Sequence, residues 1–332
     1  MIRSASSSSS KRSLFPPLLV FASCFVSSVG VYKLHKKTED IVPITLRHRH
    51  ILISKEMERK VGEASFIEFV KNVRARQLAN PSHSPSILPS DHLASIMCRR
   101  VCDRILSNLP PVAEFKDAKA LPWTIIVVDD INCPNAFALP GNHIVVFTGL
   151  FRFAQDEDEV ASIMCHEIAH VLARHPAEKL SMFLFVGFFG ALLEAAFGYN
   201  PFLRVLEKLA FELPFSREME NEADTLGMHL LGSSCFDCGK ATNTFERMGR
   251  SAVGKQSPPT WLSTHPDFPE RIARVKKLSS EMEAREGSNK ARGDKCDKIK
   301  KAWQYVTAEE ERAAKLQSII NARRLLQEEE EM

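Results

Sequence analysis

Two histidines and a glutamate in the stretch CHEIAH, residues 165–170, have the types and the spacing of a hydrolytic zinc site. On a helix, His166 and His170 lie one turn apart, so both imidazoles project from one face. Two neutral imidazoles at this separation can bind one Zn²⁺. Glu167 is badly angled to bind the same ion but is well placed to take a proton from a zinc-bound water. The pattern predicts one Zn²⁺ per chain with Glu167 as the catalytic base, and a chance match is the alternative.

The flanking residues predict the helix that must position these side chains. Four consecutive acidic residues, 156–159, suit a helix N-terminus, and apolar residues then recur at helical spacing as far as Leu172. Arg174 and His175 would place cations at the C-terminus, and Pro176 is expected to stop the helix.

A later helix, predicted over residues 216–232, offers the third protein ligand that zinc needs. Ser216 suits its N-cap and Gly232 its end. The candidate ligands on it are Glu218, Glu220 and Glu222. Asp224 lies one turn after Glu220 and can orient a ligand imidazole through its second N–H, which favours Glu220.

Charge and cysteine usage narrow the class of protein. The chain has 332 residues and a net charge of +3, but residues 1–38 carry six Lys/Arg and no acid, so the remainder is near −3. The excess positive charge therefore belongs to an N-terminal leader and not to a basic surface patch, which argues against a nucleic-acid partner. Eight scattered cysteines do not form a disulfide scaffold. Cys235 and Cys238 are interpreted as two thiols in a loop, with a structural zinc or a redox pair as alternatives.

The N-terminus predicts a leader followed by a membrane anchor. Residues 1–13 are Ser-rich, basic and free of acids, which is typical of a mitochondrial or plastid transit peptide. Residues 14–32 are nineteen uncharged residues, and a helix of that length would extend about 28 Å, enough to cross a bilayer core. Lysines follow at once without a small-x-small cleavage site, so a retained anchor is favoured over a signal peptide. Cleavage of the first dozen residues stays open.

The remaining patterns predict an α+β fold with a small sheet packed on the H-E-x-x-H helix. Strands are predicted at 44–53, 123–129 and 143–148, helices at 55–77 and 91–109, and a turn-rich stretch at 132–141. Ser90 or Asp91 would cap the second of these helices. A strand beside the zinc site could pair with an extended peptide substrate.

Two later stretches have competing interpretations. Residues 182–199 are apolar apart from Glu194, and a core or interfacial helix is favoured over a segment dipping into the membrane, because this charge would be costly at mid-bilayer. From about residue 280 the chain is highly charged, which indicates a solvated or coiled helical tail rather than a binding device.

The motifs HEIAH and SREMENEAD resemble those of the HtpX-like and CAAX-prenyl-protease-like membrane metallopeptidases, which are gluzincins, over roughly residues 120–275. Within that family, NAFALPGNHIVVFTGL and CHEIAHVLARH are similar to the Oma-type metalloendopeptidases of the mitochondrial inner membrane. The resemblance implies a catalytic acid/base and three zinc ligands, namely Glu167 with His166, His170 and Glu220.

The resemblance also implies that the turn Thr264-His265-Pro266 and Arg271 lie over the metal. His265 would then gate the metal or stabilise the oxyanion, and a turn histidine without a role is the alternative. An edge strand near residues 135–139 would hold the substrate. Prenyl-protease relatives carry several membrane spans, whereas this chain has one clear and one doubtful span, which disfavours prenyl-peptide processing.

The motifs predict a membrane-anchored zinc metalloendopeptidase, and the resemblance implies a single-pass protein of the mitochondrial inner membrane with its protease domain in the intermembrane space. The resemblance also implies that its substrates are membrane-associated or misfolded proteins in quality control and processing, and a plastid membrane is the alternative location. The expected organisation is a leader (1–13), a bilayer anchor (14–32), an N-terminal part (33–119), a metallopeptidase domain (120–278) and a charged helical tail (279–332). A homo-oligomer is compatible with the sequence.

The competing hypothesis is a membrane-anchored interaction protein whose zinc site is structural or inactive. A structural site is normally closed by four protein ligands. The sequence places no fourth Cys or His beside His166, His170 and Glu220, which favours the enzyme.

Overall fold

The computed structural model describes residues 36–81, 83–112, 115–197, 216–252, 260–265, 268–288, 293–304 and a few positions up to 312. The predicted leader and the predicted anchor lie outside these ranges. Among the residues that are described, no helix is long and apolar enough to cross a membrane.

A two-stranded hairpin begins the described chain. Strand β1 (Glu39–Ile41) pairs antiparallel with β2 (His48–His50). The strand predicted over 44–53 is therefore mostly wrong, because Ile44 and Leu46 have φ values of 73° and 59° and form a turn. Helix α1 (Lys55–Ala79) follows and confirms the prediction at 55–77.

A four-stranded sheet supports the centre of the fold. Its strands are β3 (Ser86–Ile87), β4 (Thr124–Asp129), β5 (Ala136–Leu139) and β6 (His143–Phe147). Their order is β3-β4-β6-β5, with β4 and β6 parallel and the other pairs antiparallel. The stretch 132–141 is thus more than a turn, because it contains β5, and this strand lies at the sheet edge as the resemblance implies. Gly141, after the strand, has a φ of 85°, which suits the turn expected there.

Helices make up most of the remaining described structure, which confirms the α+β class. They are α2 (Leu93–Ser107), α3 (Lys116–Ala120), a 3-10 helix (Thr148–Arg152), α4 (Glu157–Leu172), α5 (His175–Phe197), α6 (Arg217–Ser233), α7 (Cys238–Ala252), α8 (Thr260–Thr264), α9 (Phe268–Ser288) and α10 over residues 293–304. The N-cap of α2 is His92 and not Ser90 or Asp91, since the imidazole accepts from the backbone N–H of Ala94. Ser216 caps α6 as predicted, although the helix continues one residue past Gly232.

Helix α4 is the central element of the molecule. Every residue from Val160 to His170 is buried, and the helix packs against α2, α6, α7 and β5. It ends at Leu172, and Arg174 adopts a φ of 53° to turn the chain. Pro176 does not stop α4 as predicted. It lies in the first turn of α5, where a missing N–H is tolerated.

Helix α5 contains the second apolar stretch. Met182, Leu184 and Phe185 are each at least half exposed, while Phe183 is half-buried. The choice between a core or interfacial helix and a segment in the membrane is not decided by these side chains. A membrane or interfacial location stays a prediction.

The charged C-terminal part is joined to the domain by a disulfide. Cys235, at the end of α6, is bonded to Cys296 in α10, while Cys238 is a buried free thiol. Arg100 also lies 3.4 Å from Glu310. The interpretation of Cys235 and Cys238 as two loop thiols is therefore wrong for Cys235, and the tail is not simply solvated.

Candidate metal centre

Three elements bring the chemically competent side chains together. His166 and His170 project from one face of α4, Glu220 comes from the first turns of α6, and His265 follows directly after α8. Each of these four side chains is at most 2% exposed. Gly227 allows α6 to approach α4, because a Cβ at this position would lie 3.2 Å from the Cα of His166.

The facing atoms of these side chains form a compact cluster. His166 Nε2 lies 3.1 Å from His170 Nε2 and 3.4 Å from Glu220 Oε2. The other carboxylate oxygen, Oε1, lies 3.5 Å from His170 Nε2 and 2.9 Å from His265 Nδ1. The four residues, His166, His170, Glu220 and His265, each offer one ligand atom within 4.8 Å of the others.

These distances fit a single divalent ion. Two imidazole nitrogens bound to one tetrahedral zinc at about 2.0–2.1 Å would lie about 3.3 Å apart, close to the 3.1 Å between His166 and His170. Glu220 Oε2 is buried and lies 2.8 Å from Arg271 Nη1, its ion-pair partner, and 3.4 Å from His166 Nε2. Imidazole nitrogen and carboxylate oxygen are donors that zinc accepts.

The electrostatic surroundings keep the carboxylate charged. Burial alone would raise the pKa of Glu220, but the charges of His265 and Arg271 and a hydrogen bond to His166 lower it well below its usual range. Burial lowers the pKa of His170 well below its ordinary value, so this imidazole is neutral at pH 7. Burial and Arg271 also oppose a charge on His166, but its contacts with Asp224 and Glu220 raise its pKa to about 9.

Asp224 lies behind His166, in the position expected from its place one turn after Glu220. Its Oδ1 is 3.1 Å from His166 Nδ1. Arg271 donates to both oxygens of Asp224, at 2.6 and 3.0 Å, and is itself 1% exposed. Arg271 therefore pairs with both Glu220 and Asp224, which offsets part of the cost of burying two carboxylates.

A second chain of contacts lies behind His170, and the sequence interpretation missed it. His175 Nδ1 is 2.9 Å from His170 Nδ1, and His175 Nε2 is 3.2 Å from Glu222 Oε2. His175 was expected to be a cation at the end of α4, but it is fully buried, and burial lowers its pKa. Of the three candidate ligands on α6, Glu218 is exposed and Glu222 contacts His175, so only Glu220 faces the imidazoles.

Glu167 faces the cluster but does not belong to it. Its Oε1 accepts a hydrogen bond from Trp261 Nε1 at 3.0 Å and lies 3.4 Å from His265 Nε2. Trp261 is fully buried and stacks on His265 with ring centroids 4.7 Å apart. No sequence motif pointed to Trp261, whose spacing of four from His265 is its only signal.

His265 overturns one sequence argument. A fourth candidate ligand does stand beside His166, His170 and Glu220, so the expectation that no further Cys or His stands beside them is wrong. Spacing could not reveal it, because His265 lies 45 residues beyond Glu220. Four protein ligands are typical of a closed site, so the cluster geometry by itself does not separate an enzyme from a structural metal site.

Comparison with known proteins distinguishes an enzyme from a structural metal site. Residues 101–279 match the sequence model of peptidase family M48. The mitochondrial metalloendopeptidase OMA1 of Schizosaccharomyces pombe is 31% identical over 247 residues, which cover 74% of this chain and 68% of that protein. The human metalloendopeptidase OMA1 is 27% identical over 255 residues, 72% of this chain and 45% of that protein. The β-barrel assembly-enhancing protease of Escherichia coli is 31% identical over 159 residues, 45% of this chain and 33% of that protein.

Proposed function

The chain belongs to peptidase family M48 and is a metalloendopeptidase, and from this premise we propose that its metal is zinc and that its substrates are membrane-associated or misfolded proteins at the mitochondrial inner membrane. The observation that carries the proposal is the buried cluster of three imidazoles and one carboxylate, with Glu167 Oε1 3.4 Å from Nε2 of its member His265. The proposed ligands are His166, His170 and Glu220.

Each side chain then has a distinct task. A bound zinc ion supplies a Lewis acid that polarises the scissile carbonyl and acidifies the attacking water. Glu167 accepts the proton of that water on its carboxylate and returns it to the leaving amine. Trp261 holds the carboxylate through the hydrogen bond to Oε1, so the base is aimed before substrate arrives.

His265 gives the site two states in this proposal. His265 Nδ1 lies 3.3 Å from His166 Nε2 and 2.9 Å from Glu220 Oε1, so His265 would occupy the fourth position around a bound ion and would exclude water from it. Displacement of His265 from this position would admit water and substrate. The displaced imidazole would then be available to donate to the oxyanion of the tetrahedral transition state.

Strand β5 is the proposed binding site for the substrate backbone. It pairs with β6 through Ala136 to Leu139 and forms the edge of the sheet, and it packs on α4. An extended peptide added to this edge would be held by main-chain hydrogen bonds, which tolerate many sequences. Tolerance of this kind suits a protease that removes misfolded proteins.

Four observations support the proposed location. The OMA1 relatives are named mitochondrial, and residues 1–13 have the composition of a transit peptide. Residues 14–32 are long and apolar enough to anchor the chain. The disulfide between Cys235 and Cys296 favours a compartment that permits disulfides, and we assign the protease domain to the intermembrane space.

The test is peptide-bond cleavage by the full chain in detergent micelles, measured on an unfolded reporter protein. The Glu167→Gln variant is expected to keep its zinc and to lose turnover by at least about a thousandfold, since both proton transfers depend on it. Glu218→Gln, an exposed glutamate on α6, is the matched control and should cleave like the parent. Retained turnover in Glu167→Gln would remove the mechanism.

The closed cluster favours one second candidate, an interaction protein with a structural zinc site. A His265→Ala variant separates the two. In an active site, this variant keeps zinc on three ligands and still cleaves the reporter, faster than the parent if closure by His265 limits the rate and more slowly if its oxyanion contact does. Zinc binding in parent and variant, with no cleavage by either, would support the structural site.

A further inference from the structure

We propose that His175 is the residue that positions the candidate metal ligand His170, and that Glu222 holds His175 in the tautomer this role requires. The proposal rests on the metal site proposed above. It adds two side chains that lie outside the cluster itself: His175 contacts Nδ1 of His170, and Glu222 contacts His175 from the other side.

Glu222 fixes the tautomer of His175, because an ionised carboxylate can only accept hydrogen bonds. Glu222 Oε2 lies 3.2 Å from His175 Nε2, so Nε2 must carry the hydrogen. In a neutral imidazole the other nitrogen, His175 Nδ1, is then an acceptor. It lies 2.9 Å from His170 Nδ1, which must therefore donate. The hydrogen of His170 is thus placed on Nδ1, and its Nε2 lone pair points to His166 and Glu220.

The carboxylate that starts this sequence is itself firmly held. Thr45 Oγ1 donates to Glu222 Oε1 at 2.8 Å, and Arg47 Nη2 donates to Oε2 at 2.9 Å. Arg47 also binds both carboxylate oxygens of Glu178 at 2.7 Å. Glu222 has no freedom to turn away from His175 without breaking these bonds.

The two imidazoles of α4 are therefore oriented by different means. His166 donates from Nδ1 to Asp224, a carboxylate in direct contact. His170 donates to a neutral imidazole, whose strength as an acceptor depends on Glu222 behind it. Removing the charge of Glu222 should therefore weaken the hydrogen bond between His170 and residue 175 only when that residue is histidine, which contacts both side chains.

This arrangement extends the site beyond the family-matched region. Thr45 and Arg47 lie in the turn between β1 and β2, well before residue 101 where the match to family M48 begins. The hairpin that follows the predicted anchor would in this way help to set the geometry of the metal ligand. A buried histidine satisfied by main-chain groups would have no such connection.

The experiment measures the zinc dissociation constant of the full chain by competition with a chromophoric chelator. His175→Asn keeps an amide oxygen where Nδ1 stood and should bind zinc within about threefold of the parent. His175→Gln places its amide nearer Glu222, loses the contact to His170, and should bind zinc about 10- to 100-fold more weakly. His143→Gln removes another buried histidine, which pairs with Glu63, and should leave the constant unchanged.

A double-mutant cycle covers the case in which His175→Gln does not fold. Glu222→Gln should weaken zinc binding about three- to tenfold in the parent. In His175→Asn the same change should weaken it by less than twofold, because the contact between residue 175 and Glu222 is already lost. Equal effects of Glu222→Gln in both backgrounds, or parental affinity in a folded His175→Gln, would overturn the positioning role. Failure of the parent to bind zinc would instead remove the proposed function.

Discussion

The disulfide between Cys235 and Cys296 has a stabilising effect that can be estimated from the chain it closes. The two cysteines are 61 residues apart. In the chain-entropy relation, a loop of this size restricts the unfolded chain by about 14 cal/mol/K, or about 4 kcal/mol at 25 °C. Because disulfides typically contribute somewhat less than this relation gives, we expect Cys296→Ser to lower the free energy of unfolding by about 2–4 kcal/mol.

The assay is urea unfolding of the full chain in micelles, with and without reductant. The parent should lose the same 2–4 kcal/mol when reduced, whereas Cys296→Ser should not respond to reductant. Cys133→Ser, at a half-buried free thiol, is the control and should cost less than about 1 kcal/mol. Equal unfolding midpoints for Cys296→Ser and the parent under non-reducing conditions would refute the reasoning.

Three further predictions concern packing and ionisation. Gly62→Ala would place a Cβ 1.7 Å from the carbonyl oxygen of Pro140, so helix α1 would have to shift. Urea unfolding should show that the free energy of unfolding falls by about 1–3 kcal/mol, and parental stability would contradict this close approach. Burial lowers the pKa of Lys179 to about 8, so the folded state binds this proton less well than the unfolded state, and stability should rise with pH between about 8 and 10.5. Lys179→Met should remove that rise and stabilise the protein at pH 7 by about 1 kcal/mol after allowing for partial exposure, and an unchanged pH profile would count against it. Burial raises the pKa of Cys98 to about 12, so alkylation at pH 8, followed by peptide mass spectrometry, should label Cys133 well before Cys98; equal rates would contradict the burial.

Local patterns predicted the elements that carry the cluster. Helices α4 and α6 have apolar residues at helical spacing and capping side chains at Asp156 and Ser216, and these signals depend only on neighbouring residues. The residues of β5 by themselves predict a turn, because turn-forming residues flank them on both sides. These four residues form a strand only by pairing with β6.

The same distinction applies to the site. The spacing of His166 and His170, and of Glu220 and Asp224, follows from helix geometry, so these residues could be chosen from sequence. His175 gave no such signal, because its partner Glu222 is 47 residues away and is itself held by Thr45, 177 residues away. Contacts of this length arise from the packing of α4, α5, α6 and the N-terminal hairpin. Local patterns in the sequence do not show which distant residues pack against one another.

The metal cluster is the centre of this account, and zinc stoichiometry tests it most directly. The full chain, purified in micelles and freed of loosely bound metal, should contain about one zinc per chain, while Glu220→Gln should contain far less. Glu218→Gln, two residues away and exposed, should match the parent. A folded parent without zinc, or Glu220→Gln with a full equivalent, would contradict the assignment of the site.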